Sequence, residues 1–170
     1  PSWCARLEPP LSPNARMETS MDNNLKSAIV TGGASGIGKA TAMMLAERGY
    51  HVWAGDIQIT DATQSDFAER DIQFRHCDVR NEQHVIGLIS SAATATGRID
   101  LLVNNAGVGM VKAITDVASD EWDLCLDTNL KAAFLTCKYT IPHMAPDGGS
   151  IVNIASNAGL LPRAHDPVYS

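Results

Sequence analysis

The sequence has little of what several functional classes require. Lys and Arg total only thirteen against nineteen Asp and Glu, a net charge of −6, which leaves no broad basic face for nucleic-acid phosphates or anionic lipid. Nucleic acid and membrane are therefore excluded as partners. No uninterrupted apolar run approaches the roughly 18–20 residues that span a bilayer, and the N-terminus lacks the apolar core of a signal peptide, so the expected location is cytoplasmic. Cys4, Cys77, Cys125 and Cys137 show no CxxC and no Cys/His ligand spacing; reduced thiols and no metal are expected. Aromatic residues are 5% of the 170 and charged residues 19%, against 45% hydrophobic. That balance is that of an ordinary globular chain of one domain, not of a disordered one.

Proline is concentrated at one end. Pro1, Pro9, Pro10 and Pro13 make up four of the eight, in a stretch without apolar periodicity, so residues 1–24 read as a disordered leader. Met17 and Met21 stand just before the first strand-like run as candidate starts. A mitochondrial leader is the alternative, but Glu8, Glu18 and Asp22 offset Arg6 and Arg16.

From Leu25 onward, short β-branched apolar runs alternate with segments of helical period, the pattern of a doubly wound parallel α/β sheet with helices on both faces. Strands are expected at Lys26 to Thr31, His51 to Asp56, Ile72 to Cys77, Ile99 to Asn104 and Ser150 to Ala155. A first helix from about Gly36 to Arg48 should bury Ile37, Ala40, Met44 and Leu45, with Gly49 as a left-handed cap. A second spans about Ala62 to Arg70. A third starts at Asn81 as N-cap, buries Val85, Leu88, Ile89 and Ala92, and ends at Gly97. A fourth begins after Ser119 and runs to about Thr140 before Pro142, with Trp122, Leu126, Asn129, Ala133, Phe134 and Cys137 on one stripe. No linker or repeat interrupts residues 25–170.

Between the first strand and first helix stands Thr31-Gly32-Gly33-Ala34-Ser35-Gly36-Ile37-Gly38. Glycines there allow a tight turn and close approach of a pyrophosphate, which would rest on the helix N-terminus. Any strand-to-helix turn can recruit glycine, so the loop alone is a weak signal. Asp56 strengthens it: it ends the second strand eighteen residues after Gly38, near the offset at which an acid meets the adenosine ribose hydroxyls and repels a 2′-phosphate. With Ser35 in the loop and no Arg or Lys nearby, NAD is preferred over NADP. The bland alternative for Asp56 is a strand-end turn residue. Asp78 follows the third strand, placed equally well to accept from an adenine amino group or to cap the next helix. Asn104-Asn105-Ala106-Gly107 follows the fourth, suited to cofactor contact or to fixing neighbouring strands.

Asn129 is polar on an apolar face, hence either a structural crosslink or part of a polar site. Ser156 follows the fifth strand, and Tyr169 stands thirteen residues later. Taken together, TGxxxGIG at Thr31–Gly38, Asp78, NNAG at Asn104–Gly107, Asn129, Ser156 and Tyr169 resemble the classical short-chain dehydrogenase/reductase family over about residues 25–170. The resemblance implies a Rossmann-type fold and hydride transfer between NAD(P) and a secondary alcohol or carbonyl substrate. Ser156 would hold the substrate oxygen, Tyr169 would exchange its proton, and Asn129 would support the polar network. Gly32, Ser35, Gly36, Ile37 and Gly38 would surround the pyrophosphate, Asp56, Asp78 and Val79 the adenosine half, and Asn105, Ala106 and Gly107 the nicotinamide side. It also implies a homodimer or homotetramer, partly through the fourth helix.

The family's YxxxK pattern departs here, because the chain ends one residue after Tyr169. A nearby ammonium favours phenolate, so the isolated chain, lacking that lysine and the family's later strands, is expected to fold poorly and be inactive. The alternative from another class is a dinucleotide-binding sensor or scaffold without turnover, or an inactive fragment; Ser156 and Tyr169 at their separation argue against it. Leu160, Leu161 and Pro162, with Val108 to Lys112, suggest an apolar wall near the site.

Overall fold

The computed structural model describes residues 26–144, 148–161 and 165–170. The leader expected over residues 1–24, Cys4 and Pro162 lie outside them. Five parallel strands, β1 (Ser27–Thr31), β2 (His51–Asp56), β3 (Gln73–His76), β4 (Leu101–Asn104) and β5 (Ser150–Asn153), form one sheet in the order β3-β2-β1-β4-β5. The order reverses at β1: the chain builds outward to β3, returns, and continues through β4 to β5. Each return is made by a helix, α1 (Gly36–Glu47), α2 (Asp61–Glu69) and α3 (Glu82–Thr96), and then by α4 (Ser119–Leu126) running into α5 (Ala132–Thr140). This is the expected doubly wound architecture, whose ligand crevice lies where the order reverses.

The central strands are apolar on both faces, as a doubly covered sheet requires. Ala28, Ile29 and Val30 of β1 are fully buried. Ile29 and Leu102 pack with Val85, Leu88, Ile89, Ala92 and Leu135 on one side, while Val30 and Val52 pack with Ala42, Leu45 and Phe67 on the other. Asn81 Oδ1 accepts from the backbone N–H groups of Gln83 (2.9 Å) and His84 (3.3 Å), and Gly97 closes α3 at φ +72°. The four apolar residues expected to face inward from that helix are all buried. Gly49 at φ +82° stands just beyond α1.

Two helix phases differ from expectation. In α1 the buried positions are Gly38, Ala42 and Leu45; Ile37 is 67% exposed and Met44 41%. The inward face therefore runs Gly38-Ala42-Leu45, and at its start a Cβ on Gly38 would collide with the Gly32 carbonyl and the Asn105 amide. Between α4 and α5 a π turn over Asp127–Lys131 inserts an extra residue per turn. The buried stripe is Cys125, Thr128, Ala132, Leu135, Thr136 and Thr140, in helical spacing through the turn, while Trp122 and Phe134 are exposed. The stripe expected through Trp122, Leu126, Asn129, Ala133, Phe134 and Cys137 lies about one residue out of phase with it, before the turn as well as after.

The last two strands are crosslinked by a buried amide. Asn104 Nδ2 donates to Asn153 Oδ1 at 2.9 Å, and Asn104 Oδ1 accepts from the Thr136 hydroxyl at 2.6 Å. These bonds tie β4, β5 and α5 together. β5 is an edge strand, and Val152 is 43% exposed rather than covered.

Candidate functional site

The glycine loop is shaped by contacts that need no ligand. Gly32 takes φ +61° beneath the backbone of Ala106, and a Cβ on Gly38 would collide with the Gly32 carbonyl and with Asn105 Nδ2. Gly36 takes φ +50° with open space where its Cβ would stand. The loop therefore presses its back against β4 and leaves its front clear at the first turn of α1, where backbone N–H groups and the helix dipole favour an anion.

Two further strand ends brace the loop. Thr31 Oγ1 accepts from the N–H groups of Asn105 and Ala106, each at 3.1 Å, and Asn105 Nδ2 donates to the carbonyls of Thr31 and Gly32, each at 3.1 Å. The Asn105 amide is thus a pin between two strand ends. Asp56 Oδ2 accepts from Ala34 N–H at 3.0 Å, and Oδ1 from Ile57 N–H at 2.7 Å. Each carboxylate oxygen keeps a second acceptor site.

A cavity of about 370 Å³ opens above these ends. Gly32, Ser35, Gly36, Ile37, Asp56, Asp78, Val79, Asn105, Ala106 and Gly107 all line it. Of the residues expected at a cofactor, Gly38 alone is absent from the wall, because it is buried behind it. A loop with no room for a Cβ at its back and open space at Gly36 in front suits a dinucleotide pyrophosphate, and the carboxylates at one end suit its adenosine half.

Val108, expected on an apolar wall, lines it too, and the walls also carry residues that the sequence reading did not place at the site: Ile57, Cys77, Arg80, Leu124 and Thr128. Arg80 corrects the expectation that no cation stands nearby. Its Nε and Nη2 donate to the two oxygens of Asp78 at 2.9 and 2.6 Å, and its backbone N–H donates to Asp78 Oδ1 at 3.0 Å. The Arg80 bonds hold the Asp78 carboxyl below the usual carboxylate range. The helix cap is Asn81, not Asp78, whose carboxylate pairs with Arg80 on the cavity wall. Its position after a strand and before a helix is a sequence signal that could have flagged Arg80. Cys77, 1% exposed, has its thiol pushed up to about 11 by burial and by the charge of Asp78. Leu124 reaches the cavity from the end of α4 and Thr128 from the π turn that follows.

Asn129, Ser156 and Tyr169 stand apart from this cavity's lining. Asn129 Oδ1 accepts from Val108 N–H at 2.8 Å, and its Nδ2 donates to the Val108 carbonyl at 2.9 Å and to Cys125 Sγ at 3.4 Å. It is a crosslink from the π turn to the loop after β4. Ser156, at the carboxyl end beyond β5, accepts from Ala158 N–H at 3.2 Å and retains its own proton to donate. Tyr169 is half-buried in a turn over residues 167–169. Leu160 and Leu161 are 84% and 70% exposed, and Lys112 N–H donates to the His165 carbonyl at 2.6 Å, joining the loops that carry them.

Comparison with known proteins agrees with this arrangement. A sequence model described as short chain dehydrogenase matches residues 26–170. The chain is 40% identical over 151 residues to cis-4-hydroxycyclohexanecarboxylate dehydrogenase of Sinomonas cyclohexanicum, covering 84% of this chain and 59% of that protein. It is 33% identical to D-beta-hydroxybutyrate dehydrogenase of Cupriavidus necator, covering 86% and 58%, and 34% identical to cyclopentanol dehydrogenase of Comamonas testosteroni, covering 81% and 57%. The crystal structure of Cj0485 dehydrogenase superposes with a TM-score of 0.79 at 26% identity, over 88% of this chain and 59% of that one. The chain thus spans somewhat under two thirds of the length of these relatives, and it belongs to the short-chain dehydrogenase family, whose members are NAD(P)-binding oxidoreductases.

Proposed function

We propose that this short-chain dehydrogenase binds NAD(H) in the cavity at the strand ends and serves hydride transfer between it and a secondary alcohol or the corresponding ketone. The observation that carries the reading is the convergence of the glycine loop, Asp56, Asp78 and Asn105–Gly107 on one crevice at the sheet's reversal point. Relatives named for cyclopentanol and for hydroxylated acids support the alcohol class. Residues 25–170 form one dinucleotide-binding domain of a cytoplasmic protein, with a homodimer or homotetramer as its assembly.

When bound, the nicotinamide supplies the hydride or takes it up. The chain's own groups do the rest. The α1 N-terminus offers backbone N–H groups to the pyrophosphate, and Asp56, with spare acceptor sites on both oxygens, receives the ribose hydroxyls. That carboxylate disfavours a 2′-phosphate and so selects NAD over NADP; Arg80, engaged by Asp78, is not free to reverse it. Ser156 donates to the substrate oxygen, and the Tyr169 hydroxyl gives or takes the proton at that oxygen. Asn129 acts by holding the loop after β4 through Val108.

Fluorescence titration of the protein with NADH and NADPH, followed by turnover assays on secondary alcohols, tests this reading. Tighter NADH binding with turnover that Tyr169→Phe lowers about 10²–10⁴-fold is expected. A second reading, a dinucleotide sensor without turnover, draws on Ser156 and Tyr169 standing outside the cavity's lining; NADH binding with no turnover on any alcohol would favour it.

A further inference from the structure

Among the described residues three buried polar atoms have no hydrogen-bond partner: Trp53 Nε1, Thr128 Oγ1 and Thr140 Oγ1. Of these residues only Thr128 lines the cavity. A helical threonine has a ready acceptor in the carbonyl four residues earlier. Thr41, Thr96 and Thr136 use it, donating to Ile37, Ala92 and Ala132 at 2.8, 2.9 and 3.0 Å. Thr128, in the π turn and 8% exposed, makes no such bond. Valine would fill the same space without the penalty of an unpaired hydroxyl, so the sequence keeps a group that the protein by itself leaves unsatisfied.

We propose that Thr128 is a further binding residue of this cavity, its hydroxyl completed by a hydrogen bond to the adenosine half of the dinucleotide. The inference rests on the dinucleotide reading above. The choice of the adenosine half follows from what stands around the turn. Leu124, four residues earlier, shares the wall with Asp78, Val79 and Arg80 from the end of β3. The charge of Asp127, next to Thr128, acts on the Arg80 guanidinium. The π turn therefore faces the β3 end, where the adenosine would lie. Thr128 lines the cavity while its oxygen is covered, so its polar group is not the part presented there. Threonine divides between two χ1 wells in helices; the bound state takes the one that brings the hydroxyl to the wall.

Calorimetric titration of the protein with AMP, NAD and nicotinamide mononucleotide, in the wild type and in Thr128→Val and Thr128→Ser, tests this. Thr128→Val should weaken AMP and NAD about tenfold, as one lost hydrogen bond does, and leave nicotinamide mononucleotide unchanged. Thr128→Ser should bind like the wild type. The ligand-free valine variant should melt at or above the wild-type temperature. AMP and NAD binding as tight in Thr128→Val as in the wild type overturns the proposal while leaving the dinucleotide reading intact. So does a ligand-free valine variant that melts well below the wild type or fails to fold, because its hydroxyl then had a partner inside the protein. A wild type that binds neither AMP nor NAD overturns both.

Discussion

Asn129 holds Val108 by both of its backbone polar groups, accepting its N–H at 2.8 Å and donating to its carbonyl at 2.9 Å. A primary amide is the only side-chain group that can do both at once along a backbone edge. The clamp joins the π turn to the loop that follows β4 and leads past the cavity.

Asn129→Asp keeps the acceptor and loses the donor, turning one bond into a carboxylate facing a carbonyl. Asn129→Ala loses both. Two partly buried hydrogen bonds at about 1 kcal/mol each imply a loss of about 2 kcal/mol for the alanine variant and a similar or larger one for the aspartate. Thermal unfolding of the three proteins checks this; an alanine variant as stable as the wild type would show that water replaces the clamp.

Gly38 and Gly36 separate shape from binding. A Cβ at Gly38 meets the Gly32 carbonyl and the Asn105 amide, so Gly38→Ala must push the loop off β4, with an expected loss of about 1–3 kcal/mol. At Gly36 nothing lies within 4 Å, and the cost is the positive φ alone, about 1 kcal/mol. Melting curves should therefore rank Gly38→Ala well below Gly36→Ala. NADH titration should find the Gly36 variant weakened even though folded, because its methyl occupies the front of the loop.

The same contrast explains what could be read from the sequence and what could not. Strand and helix order, the Asn81 and Gly97 caps and the inward face of α3 follow from period and local chemistry, which act within a few residues. Cavity-lining residues were legible as far as they sit at strand ends, since topology alone brings Gly36, Asp56, Asp78 and Asn105 together. The phase of the helix from Ser119 to Thr140 was not, because Trp122 and Phe134 are apolar yet exposed while Thr128, Thr136 and Thr140 are polar yet buried, so the apolar period points about one residue away from the buried stripe. Nor was the outward turn of Ile37 and Met44, which depends on how closely Gly38 approaches β4. The partners of Asn105 and Asp56, which proved to be loop backbone, required distances between segments far apart in the chain.

Asp78 and Arg80 form a pair whose effect has a definite sign. The guanidinium lowers the Asp78 carboxyl below its ordinary value, so the folded state binds that proton less readily than the unfolded one. The stabilisation is present above the unfolded carboxylate pKa and is lost as pH falls through the folded one. With Arg80 42% exposed the pair is worth no more than about 1 kcal/mol. Arg80→Gln should raise the Asp78 titration midpoint, followed by NMR of the side-chain carboxyl, and should flatten the acid limb of the stability profile; an unmoved midpoint refutes the pairing.

Cys77 lies at the opposite limb. Its thiol is raised to about 11 by burial first and by Asp78 second, so the folded state keeps a proton that the unfolded chain releases near its ordinary value. That contribution is full below the unfolded thiol pKa and is lost as pH rises toward 11. Alkylation by iodoacetamide at pH 8 should be slow for Cys77 in the folded protein and fast after denaturation. Rapid labelling of native Cys77, mapped by mass spectrometry, would show an open, ionisable thiol instead.

On the proposed reading Asp56 sets the cofactor preference, and its two oxygens have two jobs that substitution can part. Oδ2 braces the loop through Ala34 N–H, while the remaining acceptor sites and the negative charge face the cavity. Asp56→Asn preserves one carbonyl oxygen for Ala34 and removes the charge; Asp56→Ala removes both. If the charge governs selection, the two variants should each shift the ratio of NADPH to NADH affinity upward, by about tenfold, the order expected for removing one repulsive contact of about 1.4 kcal/mol. Only the alanine variant should also lose thermal stability, by about 1 kcal/mol for the missing brace. An asparagine variant with wild-type selectivity would assign the preference elsewhere. Among the described residues the other charged groups on that wall are Asp78 and Arg80, and the Arg80→Gln variant would then separate a guanidinium that attracts the 2′-phosphate from one held neutral in effect by its carboxylate.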